Sequence, residues 1–163
     1  MTAGCPEVLV LGLGNPLLGD DGAGLALLEA VSAARAWDGR VEFLDGGTQG
    51  LALLHRLSGR RALVILDAVS SGALPGGVHV IRDWHRFAGR SSTAHEGNAA
   101  ELLVAATLVG DCPERVVIVG IEPLHVRTGI GLSGPVQRAL SPALEAAVEA
   151  IEALLGVAGP APA

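Results

Sequence analysis

The sequence predicts an α/β fold in which a mostly parallel sheet is covered by helices on both sides. Strand and helix patterns alternate along the first half of the chain, which is typical of parallel strands joined by crossover helices. The strand patterns at residues 8–11 and 62–66 are apolar throughout instead of alternating between apolar and polar residues. A strand that is apolar on both faces is buried on both faces, and such burial is characteristic of parallel sheets.

Length and composition limit the classes of protein to which this chain can belong. Its 163 residues fit one domain, predicted over residues 1–156, followed by a tail at 157–163 that is predicted to be disordered. A formal charge of −6 argues against nucleic-acid binding, which needs a basic surface. No stretch approaches the roughly 20 apolar residues of a membrane span. Two cysteines without a CxxC motif, and the lack of a signal-peptide pattern, favour a cytoplasmic protein.

The glycine-rich turn after the first strand is the first place where the sequence indicates a functional site. Residues 12–24, GLGNPLLGDDGAG, connect the strand to a helix predicted at about 22–35. Gly12 and Gly14 begin the GxGxxG pattern of nucleotide-binding turns, but Leu17 replaces the third glycine. Asp20 and Asp21 would also occupy the N–H groups and neutralise the helix dipole that a pyrophosphate needs. One of the two is expected to be an N-cap, worth about 1 kcal/mol, which leaves the other free for a different role.

The next two predicted strands also end in acidic residues. Residues 41–44 form the second strand, which stops at Asp45, and a short amphipathic helix follows at 51–57. The third strand, 62–66, stops at Asp67. Parallel strands all finish at one edge of the sheet, and ligands bind in the crevice beyond that edge. We therefore expect Asp21, Asp45 and Asp67 to lie near one another.

The second half of the chain adds an edge strand, a last buried strand and two helices. The short strand at 78–81 follows a loop at 70–77, which is shorter than the dozen or so residues that a parallel crossover needs. It is therefore predicted to be antiparallel and at an edge. Thr93 and Glu96 form a capping box that begins a helix at 94–109, and residues 116–120 form the last buried strand. Ser141 and Pro142 are predicted to begin the final helix. Its core stripe comprises Leu144, Val148, Ile151 and Leu155.

His95 lies in the first turn of the helix predicted from residue 94. The positive end of the helix dipole disfavours imidazolium there, so the ring should be neutral near pH 7, as a base or a metal ligand must be. A single histidine of this kind is most often a surface residue or a satisfied polar residue, which is the interpretation for His55, His79, His85 and His125. Carboxylates at the strand edge and one neutral imidazole together offer two oxygens and a nitrogen to a divalent metal. The local spacing gives no support to this hypothesis, because the chain has no HExxH motif.

Five motifs, taken in order, carry a resemblance to a known family. GLGNPLLGDDGAG is followed by DGGTQG at 45–50, LDAV at 66–69, AHEG at 94–97 and VGIEP at 119–123. In this order they resemble the hydrogenase maturation proteases, endopeptidases that remove a C-terminal peptide from the large-subunit precursor of a nickel-iron hydrogenase. The resemblance covers residues 8–155. It implies a three-layer α/β/α sandwich with a mixed, mainly parallel five-stranded sheet.

The resemblance also implies a set of functional residues. The metal-contacting positions of the family match Asp21, Asp67 and His95, and Asp45 is a further candidate for peptide positioning or local structure. The metal would be the nickel already inserted in the substrate, for which Zn²⁺ or Cd²⁺ substitutes in vitro. It could polarise the scissile carbonyl or activate water, and both remain open. Neither cysteine lies in a matching motif and no GxSxG is present, which argues against a thiol or serine nucleophile.

Two alternatives from other classes remain open at this point. A nucleotide-binding α/β protein would use Gly12, Gly14 and Asp45, the last lying where a ribose-binding acid is found. Titration with NAD distinguishes it. A non-catalytic nickel-site chaperone could share the fold, but it would leave the length of a loaded precursor unchanged.

Overall fold

Five strands form one mixed sheet in the order β2-β1-β3-β5-β4. The computed structural model describes residues 4–88 and 97–156. Strands β1, β2, β3 and β5 run parallel to one another, whereas β4 pairs antiparallel with β5 at the edge of the sheet, as predicted. The bounds of the strands are β1 Val8–Leu13, β2 Val41–Gly47, β3 Ala62–Ala68, β4 Val78–Ile81 and β5 Arg115–Ile121.

Helices cover both faces of this sheet, which confirms the three-layer arrangement. Helices α1 and α5 pack on one face, and α2, α3 and α4 pack on the other. Two short 3-10 helices precede α1 and α2, at Asp20–Gly22 and Gly50–Leu53. The bounds of the helices are α1 Ala23–Ala33, α2 Leu54–Leu57, α3 Trp84–Ala88, α4 Gly97–Val109 and α5 Gly134–Leu155.

The alternation of side chains along β1 explains its apolar sequence. Val8 and Val10 pack into the core on the side of α1 and α5, and Leu9, Leu11 and Leu13 pack into the core on the other side. All six residues of the strand are buried. Because both faces of this strand are covered, both sets of side chains are removed from water, which accounts for the unbroken apolar run.

The parallel strands extend beyond their apolar runs. The ladder continues through Gly12 opposite Asp45 and through Asp67 opposite Gly120. Pairing between strands is made by backbone groups, so a glycine or an aspartate continues it once its neighbours are in register. Asp45 and Asp67 are therefore held by the sheet itself rather than by the loops that follow it.

Helix α5 begins earlier than the sequence predicts. It starts at Gly134 after the extended N-cap residue Ser133, and Pro135 lies in its first turn, where a missing N–H costs nothing. The prediction of a start at Ser141 and Pro142 is wrong, because Pro142 lies inside the helix on its exposed side. Of the predicted stripe, Ile151 and Leu155 are buried and Leu144 and Val148 are partly buried against the same core. The rest of the buried face is largely alanine, at Ala139, Ala143, Ala147 and Ala150.

Three predictions fall outside the described residues. These are the capping box at residues 93–96, the placement of His95 and the disorder of the tail at 157–163. None of the helices in the described part of the chain combines the length and the apolar composition that crossing a lipid bilayer requires.

Candidate active site

The turn between β1 and α1 has a conformation that requires glycine. Gly14 has a φ of 130°, and a Cβ at this position would lie 1.9 Å from the carbonyl oxygen of Asp21. The backbone N–H of Asn15 donates to Oδ2 of Asp21 at 2.8 Å, and Oδ1 of Asn15 accepts from the backbone N–H of Leu17 at 3.0 Å. These contacts fold the turn back on itself and hold the carboxylate of Asp21 beside the end of β1.

Helix α1 approaches the sheet more closely than a side chain would allow. A Cβ on Gly24 would lie 2.3 Å from the carbonyl oxygen of Leu13, 2.4 Å from that of Leu66 and 2.9 Å from Cα of Asp67. The first turn of α1 therefore lies directly on the ends of β1 and β3. This close approach brings Asp21, which lies in the 3-10 helix before α1, close enough to Asp67 for its charge to act on the Asp67 carboxyl group.

Asp67 has a carboxyl group in an unusual environment. Burial raises its pKa well above the ordinary value of 3.8, and the charge of Asp21 raises the pKa further. Its Oδ1 accepts a hydrogen bond from the backbone N–H of Ala68 at 2.8 Å. Two carboxylates held this close repel each other, and a divalent cation between them would relieve both the repulsion and the loss of hydration.

The site differs from the expectation that Asp20 or Asp21 caps a helix. The N-cap residues of the 3-10 helix and of α1 are Gly19 and Gly22, and neither helix has a hydrogen bond from a capping side chain. That expectation is wrong, because both carboxylates bond elsewhere. Asp21 bonds within the turn, and Asp20 bonds to the loop that connects β5 to α5.

Asp20 is fully buried and fastens both ends of that loop. Its Oδ2 accepts from the backbone N–H of Leu124 at 2.9 Å and from Oγ of Ser133 at 2.8 Å, and its Oδ1 accepts from the backbone N–H of Ser133 at 2.7 Å. Burial by itself would raise the pKa of Asp20, but these hydrogen bonds outweigh it and hold the pKa below 3.8. Sequence reasoning missed this role because the partners are 104 and 113 residues away in the chain.

Replacement of Asp20 by asparagine should lower the free energy of unfolding by about 2 kcal/mol or more at pH 7, because buried donors lose a charged acceptor. A carboxyl whose pKa is depressed by folding contributes stability that is present above about pH 4 and is lost as the pH falls through its folded-state pKa. The difference between the two proteins, measured by urea unfolding, should therefore shrink below that pH.

Glu149→Gln is the matched control for this prediction, because Glu149 is exposed on α5. It should change the unfolding free energy by less than about 0.5 kcal/mol. A loss in Asp20→Asn that stays constant from pH 7 to pH 3 would show that the charge of Asp20 does not stabilise the fold.

Asp45 lies at the same edge of the sheet but apart from Asp67. It is exposed on β2 opposite Gly12, and β1 lies between β2 and β3. The ladder has a bulge here, since Leu13 pairs with Gly47 and leaves Gly46 as the extra residue. A Cβ on Gly46 would lie within 2.8–3.0 Å of three leucine side chains, so this glycine approaches the protein's own core. The structure thus brings Asp21 and Asp67 together and places Asp45 two strands away from Asp67.

A second polar cluster surrounds Glu122, the residue after β5. Its buried carboxylate accepts from the backbone N–H groups of Ser71 and Gly72, from Oγ of Ser71 and from Nε2 of His79, the last at 2.8 Å. Burial by itself would raise the pKa of Glu122, but the bonds from Ser71 and His79 lower it below 4.5. Sequence reasoning left His79 without an acidic neighbour. The antiparallel pairing of β4 with β5, which places His79 opposite Gly120, is the signal that could have found one.

The Glu122 cluster does not have the geometry of a catalytic triad. Oγ of Ser71 lies 3.4 Å from Nε2 of His79, the same ring nitrogen that meets Glu122. A serine–histidine–acid relay needs the serine and the acid on opposite ring nitrogens. We interpret the cluster as a support that fixes the loop between β3 and β4.

The described residues supply two of the three predicted metal ligands. Within residues 4–88 and 97–156, no group of three or more His, Cys, Asp or Glu side chains is arranged to hold a metal ion. His95, the third predicted ligand, is outside these ranges, and the next described element, α4, begins at Gly97. The ligand set Asp21, Asp67 and His95 therefore stays a prediction, of which the structure describes the carboxylate pair.

Comparison with known proteins supplies the class to which this fold and site belong. The sequence profile of the hydrogenase maturation protease family matches residues 25–150. The chain is 36% identical over 149 residues to the hydrogenase 2 maturation protease of Escherichia coli, covering 89% of this chain and 90% of the relative. It is also 35% identical over 148 residues to the hydrogenase expression/formation protein HupD of Thiocapsa roseopersicina, covering 88% of this chain and 67% of the relative.

Solved structures agree with the sequence comparison. The hydrogenase maturating endopeptidase HybD from Escherichia coli superposes with a TM-score of 0.81 at 34% identity, covering 90% of this chain and 93% of that one. The protein is thus an endopeptidase with an α/β fold. More particularly, the chain belongs to the hydrogenase maturation protease family. These findings do not favour the nucleotide-binding or the chaperone alternative.

Proposed function

We propose that this endopeptidase removes a C-terminal peptide from the nickel-loaded large-subunit precursor of a nickel-iron hydrogenase in the cytoplasm. The observation that carries the proposal is the pair of carboxylates, Asp21 and Asp67, held together at the ends of parallel strands by the close approach of α1. Membership of the hydrogenase maturation protease family supports the reaction, and the unpaired state of Cys5 and Cys112 is compatible with the compartment.

The chemistry of the ligands suits a metal that another protein also holds. Asp21 and Asp67 would each offer a carboxylate oxygen, and His95 would offer a ring nitrogen. A catalytic zinc site normally has ligands rich in imidazole and oriented by further hydrogen bonds. A set with two carboxylates and one imidazole, contributed by three separate junctions of the fold, should hold a metal loosely. Zn²⁺ or Cd²⁺ should occupy the same ligands in vitro.

Shared ligation of nickel would determine which form of the precursor is processed. Asp21 and Asp67 would anchor the loaded precursor through its nickel and bring the scissile peptide to the strand edge, where orientation accelerates the reaction. The bound metal would supply polarisation of the scissile carbonyl or activation of water. An unloaded precursor would lack this anchor and would bind too weakly to be cut.

The test is to offer metal-stripped enzyme both forms of a nickel-hydrogenase large-subunit precursor and to follow the mass of the precursor. We expect the nickel-loaded form to lose its C-terminal peptide and the nickel-free form to stay intact. Cutting of both forms at comparable rates would contradict the proposal, as would a requirement for zinc restored to the enzyme alone. A loaded precursor that is bound but keeps its full length would indicate a chaperone.

A further inference from the structure

A cavity of about 300 Å³ lies at the end of the sheet opposite to the carboxylate pair. Its walls come from the start of β5, the first residues after β4 and the last turns of α5. Along β5, Arg115 pairs with Ala62 at the start of β3, whereas Gly120 pairs with Asp67 near the other end. An extended strand places these two positions roughly 17 Å apart. The cavity is therefore separate from the candidate active site.

Two arginine side chains line this cavity from the same face of the sheet. Arg115 is the first residue of β5, and Arg82 follows the last residue of β4. Side chains alternate between the two faces of a strand, so Arg115 shares a face with Val117, which packs in the core with α5. By the same alternation Arg82 shares that face with Val78, which packs against the same core. The two guanidinium groups thus approach the cavity from neighbouring strands.

The positive charge of these two arginines is not matched by acids of the fold. Within residues 4–88 and 97–156, the side chains of Arg82 and Arg115 form no ion pair and no hydrogen bond with another residue. Ion pairs hold five other arginines, which are Arg35, Arg40, Arg56, Arg60 and Arg61. Glu114 is the one acidic residue among the described lining residues, and it is exposed. Two guanidinium groups in one concave site favour a ligand that carries negative charge.

The end of α5 does not oppose an anion in this cavity. The last carbonyl groups of a helix carry partial negative charge, which would repel an anion. Here the carbonyl oxygen of Leu154 accepts from Nη2 of Arg61 at 2.6 Å, and that of Ala153 accepts from the backbone N–H of Gly156 at 3.2 Å. The negative end of the helix is therefore compensated before any ligand binds.

The rest of the cavity wall is largely apolar or aromatic. Val116, Ala150 and Leu154 form part of it, and Trp84 and His85 of α3 form another part. The rings of Trp84 and His85 are stacked, with centroids 3.8 Å apart and an angle of 29° between their planes. A phosphate or carboxylate group alone would fill only a small part of this volume. The cavity therefore suits an anionic group attached to an apolar body.

We propose that this cavity binds a small organic anion, which is a phosphate monoester or a carboxylate attached to an apolar ring. Arg82 and Arg115 donate hydrogen bonds from their guanidinium groups to the anionic oxygens. The ring of the ligand packs against Leu154 and the stacked pair of Trp84 and His85. The site takes no part in peptide cleavage, because it lies at the opposite end of the sheet from the carboxylate pair. The inference goes beyond the proposed function and does not depend on it.

Titration with four probes tests the site without any precursor. Phenyl phosphate and benzoate carry both the anionic group and the ring, inorganic phosphate carries the anionic group alone, and benzyl alcohol carries the ring alone. Each is titrated into ¹⁵N-labelled protein in a low-salt buffer. We expect phenyl phosphate or benzoate to shift the indole N–H of Trp84 and the amides of Arg115 and Val116. Inorganic phosphate should bind about tenfold more weakly, because it buries no apolar surface, and benzyl alcohol should not bind.

The responses to the four probes distinguish the ligand classes. A higher affinity for phenyl phosphate assigns the site to phosphate monoesters, and a higher affinity for benzoate assigns it to carboxylates. No shift at these residues with either ring-bearing anion would overturn the proposal. Equal affinities for phenyl phosphate and inorganic phosphate, or binding of benzyl alcohol as tight as that of the anions, would overturn it as well.

Substitution of single arginines tests whether the anion is held in the cavity. Arg82→Ala and Arg115→Ala should each lower the affinity for the tighter ring-bearing anion by about tenfold or more, because each removes charge-assisted hydrogen bonds. Arg86→Ala is the matched control, since Arg86 is exposed on α3 and does not line the cavity. It removes the same charge and should change the affinity by less than about twofold. An equal loss in all three variants would show that the anion responds only to net charge and would overturn the proposal.

Discussion

Replacement of Asp67 by asparagine should abolish cleavage of the nickel-loaded precursor and at the same time raise the thermal midpoint of the enzyme. In the proposed function Asp67 is a ligand of the substrate's nickel. Its loss should then lower kcat/KM by more than about a hundredfold, which is the upper range for residues that only orient metal ligands. Asparagine has nearly the same shape and can still accept the hydrogen bond from the backbone N–H of Ala68. The two effects have opposite signs because the proposed role of the carboxylate is to bind the metal of the substrate, whereas its burial beside Asp21 destabilises the folded enzyme.

The pH dependence of the stability gain follows from the raised pKa of Asp67. At neutral pH the unfolded chain carries an ionised aspartate, whereas the fold disfavours that charge through burial and the proximity of Asp21. The gain in Asp67→Asn should therefore be present at pH 7 and vanish below about pH 4, where the unfolded chain is also protonated. Calorimetric scans measure it. A lower midpoint in the variant at pH 7, with activity lost in proportion to the folded fraction, would mean that Asp67 is structural.

Gly24→Ala should destabilise the protein by about 3 kcal/mol or more, the upper range for overpacking, although alanine is the better helix former by about 1 kcal/mol. The new methyl group would lie 2.3 Å and 2.4 Å from two backbone carbonyl oxygens, which cannot move aside as a flexible side chain can. The helix would have to shift away from the strand ends, and Asp21 would shift with it. Urea unfolding measures the loss of stability, and precursor cleavage measures the loss of the site.

Gly39→Ala is the matched control for Gly24→Ala. A Cβ at Gly39 would meet no atom within 4 Å, and its backbone does not require glycine. This substitution should leave stability unchanged or raise it by less than about 1 kcal/mol, through a smaller entropy of the unfolded chain. Equal midpoints for the two variants would show that α1 is not seated on the strand ends as closely as the distances indicate.

The sequence predicts the fold well because the features that define the sheet are local. Apolar runs identify the buried strands, and the short loop before residues 78–81 forces β4 to be antiparallel and at an edge. The start of α5 cannot be predicted in the same way, because four of its buried residues are alanines and its first turn contains Pro135. Small residues give no apolar stripe, although they allow a helix to lie close to a sheet.

Only part of the site can be predicted from the sequence, because some of its contacts join residues that are distant in the chain. Because parallel strands end at one edge of the sheet, the sequence predicts that Asp21, Asp45 and Asp67 lie at that edge. The order of the strands along the chain does not tell which strands are neighbours in the sheet. In the sheet β1 lies between β2 and β3, so Asp45 is separated from Asp67. The role of Asp20 in holding the loop between β5 and α5 could not be predicted, because its partners, Leu124 and Ser133, are distant in the chain. Contacts of this kind depend on tertiary packing and leave no local pattern.

The hydrogen bonds of Asp20 make the loop between Leu124 and Ser133 an exchangeable cassette for protein engineering. One buried carboxylate fixes both of its ends, and its middle is held by backbone bonds between Gly129 and the residues Leu17 and Gly19. Apart from the bond that Oγ of Ser133 donates to Asp20, these bonds come from backbone groups of the loop and do not depend on its side chains. The exposed side chains of Val126 and Ile130 can therefore be replaced without loss of the bonds that hold the loop, provided that Gly129 and Gly131, whose φ angles of 154° and 101° suit glycine, are retained.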